Sequence, residues 1–355
     1  MSVPETMRAV RLHAPRREQH DADLRVEQVP TPRPGPGQVL VRVHACGVDE
    51  ADVAVSDNQF SPALPLTLGR EAAGVVATLG DDVADWQPRD RVAIAATQPC
   101  GRCPYCAAGR DNLCIAGRTL GTDVDGAHAD YVVVDERYLL PVPPEVSDEQ
   151  AALVTQAVAG PYHALKRGGV GEGVTASIHG LRGRGLHAVL LAKLTGAHVI
   201  GVDEGEERLA RALDWGADEV VDTADPDVAG RVHQLTEGGT DRAFEFTGLV
   251  ETLDTAVRCL RPGGRATVTG WDPAGLRTVP MARLVTDELE LVGSGAPTVQ
   301  DIGELLDLLT DGRLDLGRSV THRVGPDEVP AALRRLAADE GHPVRIMAGY
   351  GPEAG

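Results

Sequence analysis

The hydrophobic pattern divides this chain into two regimes. Over roughly the first 145 residues, apolar positions come in short bursts broken by Gly, Pro and Asp, as in Gln38 to His44, Ala73 to Leu79, Arg91 to Ala95 and Asp130 to Val134. Pro30 to Gly37 forms a Pro/Gly-rich turn between two such bursts. This spacing predicts a β-rich, barrel-like domain. The pattern changes near Ser147. Strand-like runs at Thr175 to His179, His198 to Asp203, Glu219 to Val221, Ala243 to Glu245, Arg265 to Thr269 and Leu289 to Gly293 then alternate with helical stretches. The helical stretches include Leu186 to Thr195, Glu206 to Trp215 and Val250 to Leu260. Such alternation predicts a parallel sheet with helices on both faces. After Gly295 come a helix (Val299 to Leu309), a β-like run (Val320 to Val324), a helix (Pro326 to Ala338) and a last strand (Pro343 to Met347). That tail either extends the second sheet or returns to the first domain. No period of 20–50 residues repeats, which excludes a solenoid.

A length of 355 residues fits about two domains at roughly 150 residues each. Hydrophobic residues at 42% and charged residues at 25% are ordinary for a globular chain. Aromatic residues, at 3%, are too sparse for base-stacking platforms. With 34 Lys and Arg against 53 Asp and Glu, the net charge of −19 repels phosphate backbones and anionic lipid. Nucleic acid and membrane are therefore not expected partners. No apolar run reaches the ~18 residues of a transmembrane helix, and Met1 to Val10 lacks the pattern of an export signal. Six cysteines, four of them between positions 100 and 114, do not form the distribution of a disulfide framework, so a cytoplasmic setting is expected.

Cys100, Cys103, Cys106 and Cys114 follow a C-x2-C-x2-C-x7-C spacing. Thiolates on a turning loop converge on one tetrahedral ion, and four sulfurs leave no open position, so the reading is one structural zinc per chain. Disulfides or an iron–sulfur cluster are the competing readings. Cys46 and Cys259 read as small buried hydrophobes.

A second motif follows the strand Thr175 to His179: Gly180-Leu-Arg182-Gly183-Arg184-Gly185, opening a helix. In a G-x-G-x-x-G turn the first Gly makes the bend, the second lets backbone approach a pyrophosphate, and the third lets helix pack on strand. Gly180 and Gly185 fill the first and third places, while Arg182 stands at the second. Its side chain either blocks the pyrophosphate or binds it, and Arg184 stands nearby. Asp203, about 20 residues on at the end of the next strand, suits ribose hydroxyls and disfavours a 2′-phosphate, so NAD(H) is expected over NADP(H).

The cysteine lobe, the dinucleotide turn and the segments Leu66-Thr-Leu-Gly69-Arg-Glu71-Ala-Ala-Gly74, Gln87-Pro-Arg-Asp90-Arg-Val, Asp125-Gly-Ala-His-Ala-Asp-Tyr131, Gly196-Ala197, Gly216-Ala-Asp218 and Leu260-Arg-Pro-Gly-Gly264 resemble the medium-chain dehydrogenase/reductase superfamily, specifically its zinc-containing alcohol dehydrogenases, over nearly the whole chain. The resemblance implies an α/β architecture. A GroES-like catalytic domain would hold residues 1–156 and 296–355, with the zinc lobe near 98–116, and a doubly wound Rossmann domain would hold residues 157–295. It also implies a homodimer or homotetramer and a small-molecule substrate, faced by loops near Asn58 to Leu64 and Trp271 to Pro280.

The same resemblance marks a departure. Where the family carries catalytic zinc ligands in C-G-x-C-x-T/S-D, in G-H-E and before the Y-x-A-L helix, this chain has Asp49, Arg70 and Gln156, with Ala51 at the proton-relay position. Arg cannot ligate a metal and Gln is a weak ligand. No catalytic zinc is expected; Glu71, Asp49 and Asp52 are expected to pair with Arg70. Among acid–base candidates (Asp49, Glu50, His44, His128, Tyr162, His163), Asp49 is the best placed by alignment. His163 reads as structural, and His128 as an ordinary packed or surface histidine. Without a Lewis acid, hydride transfer to a conjugated carbonyl or iminium is favoured over alcohol oxidation, with Arg70 as oxyanion donor. Two other readings stand beside it. One is a non-redox cyclase, dehydratase or isomerase using Asp49 and Arg70; the other is a non-catalytic family member.

Overall fold

The computed structural model describes residues 3–17, 21–270 and 281–351. The expected segment Trp271 to Pro280 lies outside them. The chain forms two compact units. One runs to Ala159 and resumes at Pro297, and the other spans Gly160–Ala296.

In the first unit the strand Gln38–Val48 is the organising element. It pairs antiparallel with Glu71–Leu79, Tyr131–Asp135 and Arg345–Gly349, so three distant segments meet on one backbone. The sheet runs in the order Leu139–Pro141, Arg91–Ile94, Glu71–Leu79, Gln38–Val48, Arg345–Gly349, Val320–Val324. The tail therefore returns to the first unit. Val39, Val41, Val43, Val92, Ile94 and Ile346 fill the core, and fully burying each such side chain stabilises the fold by about 1.5–3 kcal/mol. Thr6–Ala14 pairs with Asp23–Pro30 and, over two residues, with Leu66–Thr67 in a separate three-stranded sheet.

The second unit is a six-stranded, all-parallel sheet ordered Glu219–Asp222, His198–Asp203, Thr175–His179, Thr240–Glu245, Leu260–Val268, Glu290–Gly293. Its central strands Thr175–His179, His198–Asp203 and Thr240–Glu245 are almost wholly buried, as expected of a parallel sheet covered on both faces. Ala243, Leu253, Val257, Ala266 and Leu289 make one cluster, and Ile200, Val202, Val221, Val232 and Cys259 another. Within His198–Asp203, Gly201 faces Leu181, and a Cβ there would stand 3.1 Å from the leucine Cδ1. The chain builds two strands to one side of Thr175–His179 and then crosses to the other. The end of that strand is thus the topological switch point where ligands bind in this class of sheet. Among the described residues no helix is long and apolar enough to cross a membrane.

Candidate functional site

Strand Gln38–Val48 runs out through Cys46 and Gly47 into Asp49, the N-cap of helix Glu50–Ser56, with φ −108° and ψ 153°. The Asp49 amide donates to Asp52 Oδ2 at 3.2 Å, and the Gly69 amide donates to Asp52 Oδ1 at 3.0 Å. One buried carboxylate therefore clamps two segments, the Asp49 turn and the Gly69 turn. Gly69 has φ +100°, a conformation that suits glycine, and this turn presents Arg70 and Glu71. Gly47 is required for space, because a Cβ there would overlap the Glu71 carboxylate.

These turns enclose a dense buried charge cluster. Asp49 is 6% exposed, while Glu71 and Arg345 are fully buried. Arg345, on the last strand, places Nη1 2.8 Å from Glu50 Oε2 and 3.6 Å from Asp49 Oδ1, and Nη2 3.4 Å from Glu71 Oε1. Arg70 Nε stands 3.7 Å from Asp49 Oδ2. The expectation that Glu71 and Asp52 pair with Arg70 is corrected here. Arg70 meets Asp49, Glu71 is held by Arg345, and Asp52 lies 3.4 Å from His128 Nε2. Burial pushes the Asp49 carboxyl up to about 6 against the opposing pull of Arg345, and burial likewise raises Glu71 well above the usual carboxylate range. Neither Glu71 oxygen accepts a hydrogen bond among the described residues, and Arg70 Nε donates none.

Behind Asp52 the chain of contacts continues. His128, fully buried, lies 4.0 Å from Cys46 Sγ through Nε2, and its Nδ1 is 3.2 Å from the Tyr350 hydroxyl. Burial raises both the Cys46 thiol and the Tyr350 phenol well above their ordinary values. His44 instead pairs with Asp148 at 2.8 Å, away from this chain of contacts. Gln156 occupies a π-helical turn, Val154–Val158, and has no hydrogen bond or ion pair to the cluster. It lines a shallow crevice with Ala95, Thr97, Asp111 and Ile302. The structure thus brings Asp49, Arg70 and Glu71 together and ties Gln156 to none of them. Arg345 was absent from the sequence reading. Its signal was a lone charge inside the apolar run Val344–Ala348, which marks an inward charge as well as an outward one.

In the cysteine lobe, Gly101, at φ +73°, turns the loop between Cys100 and Cys103, and Cys103 caps a short helix, Pro104–Ala107. The Cys103 sulfur is 3.5 Å from that of Cys106 and 3.9 Å from that of Cys114, and all four ligand atoms lie within 4.8 Å of one another. Zinc–sulfur bonds of about 2.3 Å require tetrahedral edges near 3.8 Å, so this cradle fits a zinc ion closed to solvent ligands. All six cysteines are free thiols, and Cys46 and Cys259 are buried.

In the second unit, Gly180 has φ +88°, and a Cβ on Gly185 would collide with the Gly180 carbonyl oxygen. These two glycines close the turn. Arg182 caps helix Gly183–Leu194 with extended backbone (φ −73°, ψ −176°), so the position tolerates a side chain without strain, and that side chain is exposed. Gly183 is buried in the first helical turn. Asp203 Oδ2 accepts from the Leu181 amide at 2.5 Å, and Oδ1 accepts from the Glu204 amide at 2.7 Å and from Arg208 Nη1 at 3.0 Å. The glycine cradle and the acid beside it fit a dinucleotide.

Comparison with known proteins bears on both units. Residues 35–144 match the alcohol dehydrogenase GroES-like domain, and residues 183–311 match the zinc-binding dehydrogenase domain. An alcohol dehydrogenase of Geobacillus stearothermophilus is 33% identical over 300 residues, 84% of this chain and 88% of that one. A sorbitol dehydrogenase of Halalkalibacterium halodurans is 30% identical over 319 residues, 89% of this chain and 93% of that one. The crystal structure of an NAD-dependent alcohol dehydrogenase superposes with a TM-score of 0.89 at 30% identity, covering 97% of this chain and 100% of the other.

Proposed function

Because the chain belongs to the zinc-binding alcohol dehydrogenase family of NAD(P)-dependent medium-chain dehydrogenases, we propose that it is a member whose catalytic zinc position has been given over to a buried ion-pair cluster, and that it transfers hydride to a conjugated carbonyl or iminium. The observation that carries this reading is the placement of the Arg70 guanidinium against Asp49, with Arg345 on the far side of the same carboxylate. A guanidinium stays protonated and has no lone pair for a metal. Asp49, Arg70 and Gln156 are therefore a poor donor set for zinc, and no step is assigned to a metal here.

The nicotinamide, when bound, supplies the hydride. In this reading Gly180, Gly183, Gly185 and the first turn of helix Gly183–Leu194 hold the pyrophosphate, and Asp203 faces the adenosine ribose, which favours NAD(H). Arg70 offers its Nε–H, which donates no hydrogen bond among the described residues, to the oxygen that gains charge when hydride adds to the far end of a conjugated system. A preorganised donor at a developing oxyanion is worth several kcal/mol. Asp49, whose carboxyl burial pushes up to about 6, carries the proton that completes the reduction at the adjacent carbon. Glu71 and Arg345 position this pair. The retained glycines and Asp203 support hydride chemistry over a cofactor-free cyclase or isomerase. The domains are assigned as residues 1–156 with 296–355 and residues 157–295, and the assembly as a homodimer or homotetramer, which sedimentation would test.

Metal analysis joined to a substrate panel tests the proposal. We expect one zinc per chain, NADH oxidation with conjugated enones or iminium ions, and a loss of about 10²-fold or more in kcat for Arg70→Ala. Two zincs per chain, with alcohol oxidation abolished by chelation, would overturn it.

A further inference from the structure

The dinucleotide turn holds one charge that the glycines and Asp203 leave unused. Arg184, half-buried in the first turn of helix Gly183–Leu194, extends its guanidinium over Gly160 in helix Ala159–Gly168. A Cβ built on Gly160 would stand 3.0 Å from Arg184 Nη2 and 3.7 Å from Cζ and Nε. Gly160 does not adopt the left-handed conformation that would require glycine. A glycine inside a helix costs roughly 0.5–1 kcal/mol relative to alanine, so what its missing side chain provides is room. Arg184 itself makes no hydrogen bond or ion pair with the described residues. A guanidinium that has lost part of its water without gaining a protein acceptor keeps its N–H donors available for an anion.

We infer that Gly160 and Arg184 act as a pair in which the glycine provides a berth that holds the guanidinium at the turn, and Arg184 donates to the pyrophosphate oxygens of the bound dinucleotide. Arg184 is thus a specificity-determining residue that takes over phosphate contact at a turn whose second glycine is Arg182. Arg182 is exposed at the helix cap, and the three atoms nearest a Cβ on Gly160 all belong to Arg184. The helix amides and the guanidinium then offer donors to one anion from two directions. The inference rests on the reading that NAD(P) binds at this turn.

Calorimetric titration with NADH, ADP-ribose and AMP separates the two claims. ADP-ribose keeps the pyrophosphate without nicotinamide, and AMP lacks the pyrophosphate. We expect Arg184→Ala to weaken NADH and ADP-ribose about tenfold, to leave AMP unchanged, and to flatten the salt dependence of ADP-ribose binding. Arg184→Lys should recover part of the loss. Gly160→Val should weaken the same two ligands by displacing the guanidinium, and the double variant should be no worse than either single one. Gly160→Ala, which asks the flexible side chain to give by only a few tenths of an ångström, should bind nearly as the native protein does and melt no lower. Unchanged or tighter ADP-ribose binding by Arg184→Ala would overturn the pair, as would additive losses in the double variant. If the native protein binds neither NADH nor ADP-ribose, the underlying nucleotide reading falls with it.

Discussion

At the scale of single residues, Arg345 carries the greatest structural consequence. Three carboxylates surround its buried guanidinium, one of them, Glu71, itself fully buried. Removing Arg345 leaves Glu71 with neither water nor an ion-pair partner among the described residues. Arg345→Met should lower unfolding stability in urea by about 3–5 kcal/mol. Adding Glu71→Gln should return part of that loss, because the orphaned carboxylate is then neutral. A different buried group makes stability depend on pH. Burial pushes His179 down from its ordinary 6.5 to about 3. Between those values the unfolded chain takes up a proton that the folded chain refuses, so its contribution is intact above pH 6.5 and is lost as the pH falls. His179→Gln should flatten this slope. Thermal melts at pH 7.0 and 4.5 would show a smaller drop for the variant than for the native protein, and equal drops would contradict the assignment.

At the scale of elements, the dinucleotide turn is set by two glycines. Gly185→Ala places a methyl group against the Gly180 carbonyl oxygen. The helix must then move off the strand, and NADH affinity should fall at least about tenfold with a lower melting temperature, while zinc content stays at its native value. The strands beside this turn were legible in the sequence nearly to the residue. Thr175–His179 and His198–Asp203 are short, almost wholly buried runs because a parallel sheet buries both faces. Thr6–Ala14 and Asp23–Pro30 were not legible. The second of them has no fully buried position, so its composition carries no strand pattern, and only its pairing with the first reveals it. In the same way, the cysteine spacing announced its cradle because the ligands are local in sequence. The charge cluster did not, because Arg345 meets Glu50 only through pairing of strands almost 300 positions apart.

At the scale of the whole molecule, a net charge of −19 weighs against every compact state through self-repulsion. Raising sodium chloride from about 10 mM to about 500 mM shortens the Debye length from roughly 30 Å to under 5 Å. The melting temperature should rise over that range, as differential scanning calorimetry would measure, and a falling value would show that attractive pairs outweigh the surface repulsion. Fold class, the metal lobe and the nucleotide turn followed from local motifs, whereas the charge balance of the first unit followed from topology. That topology has a consequence for synthesis. The second unit is one continuous stretch and has all its strands once Ala296 has left the ribosome. The first unit must wait for the strand Arg345–Gly349, and until it arrives Glu71 and Asp49 lack the guanidinium between them. A nascent chain stalled before residue 345 should therefore present a protease-resistant second unit beside a first unit still open to cleavage. Emergence of the strand Arg345–Gly349 is the event that closes it.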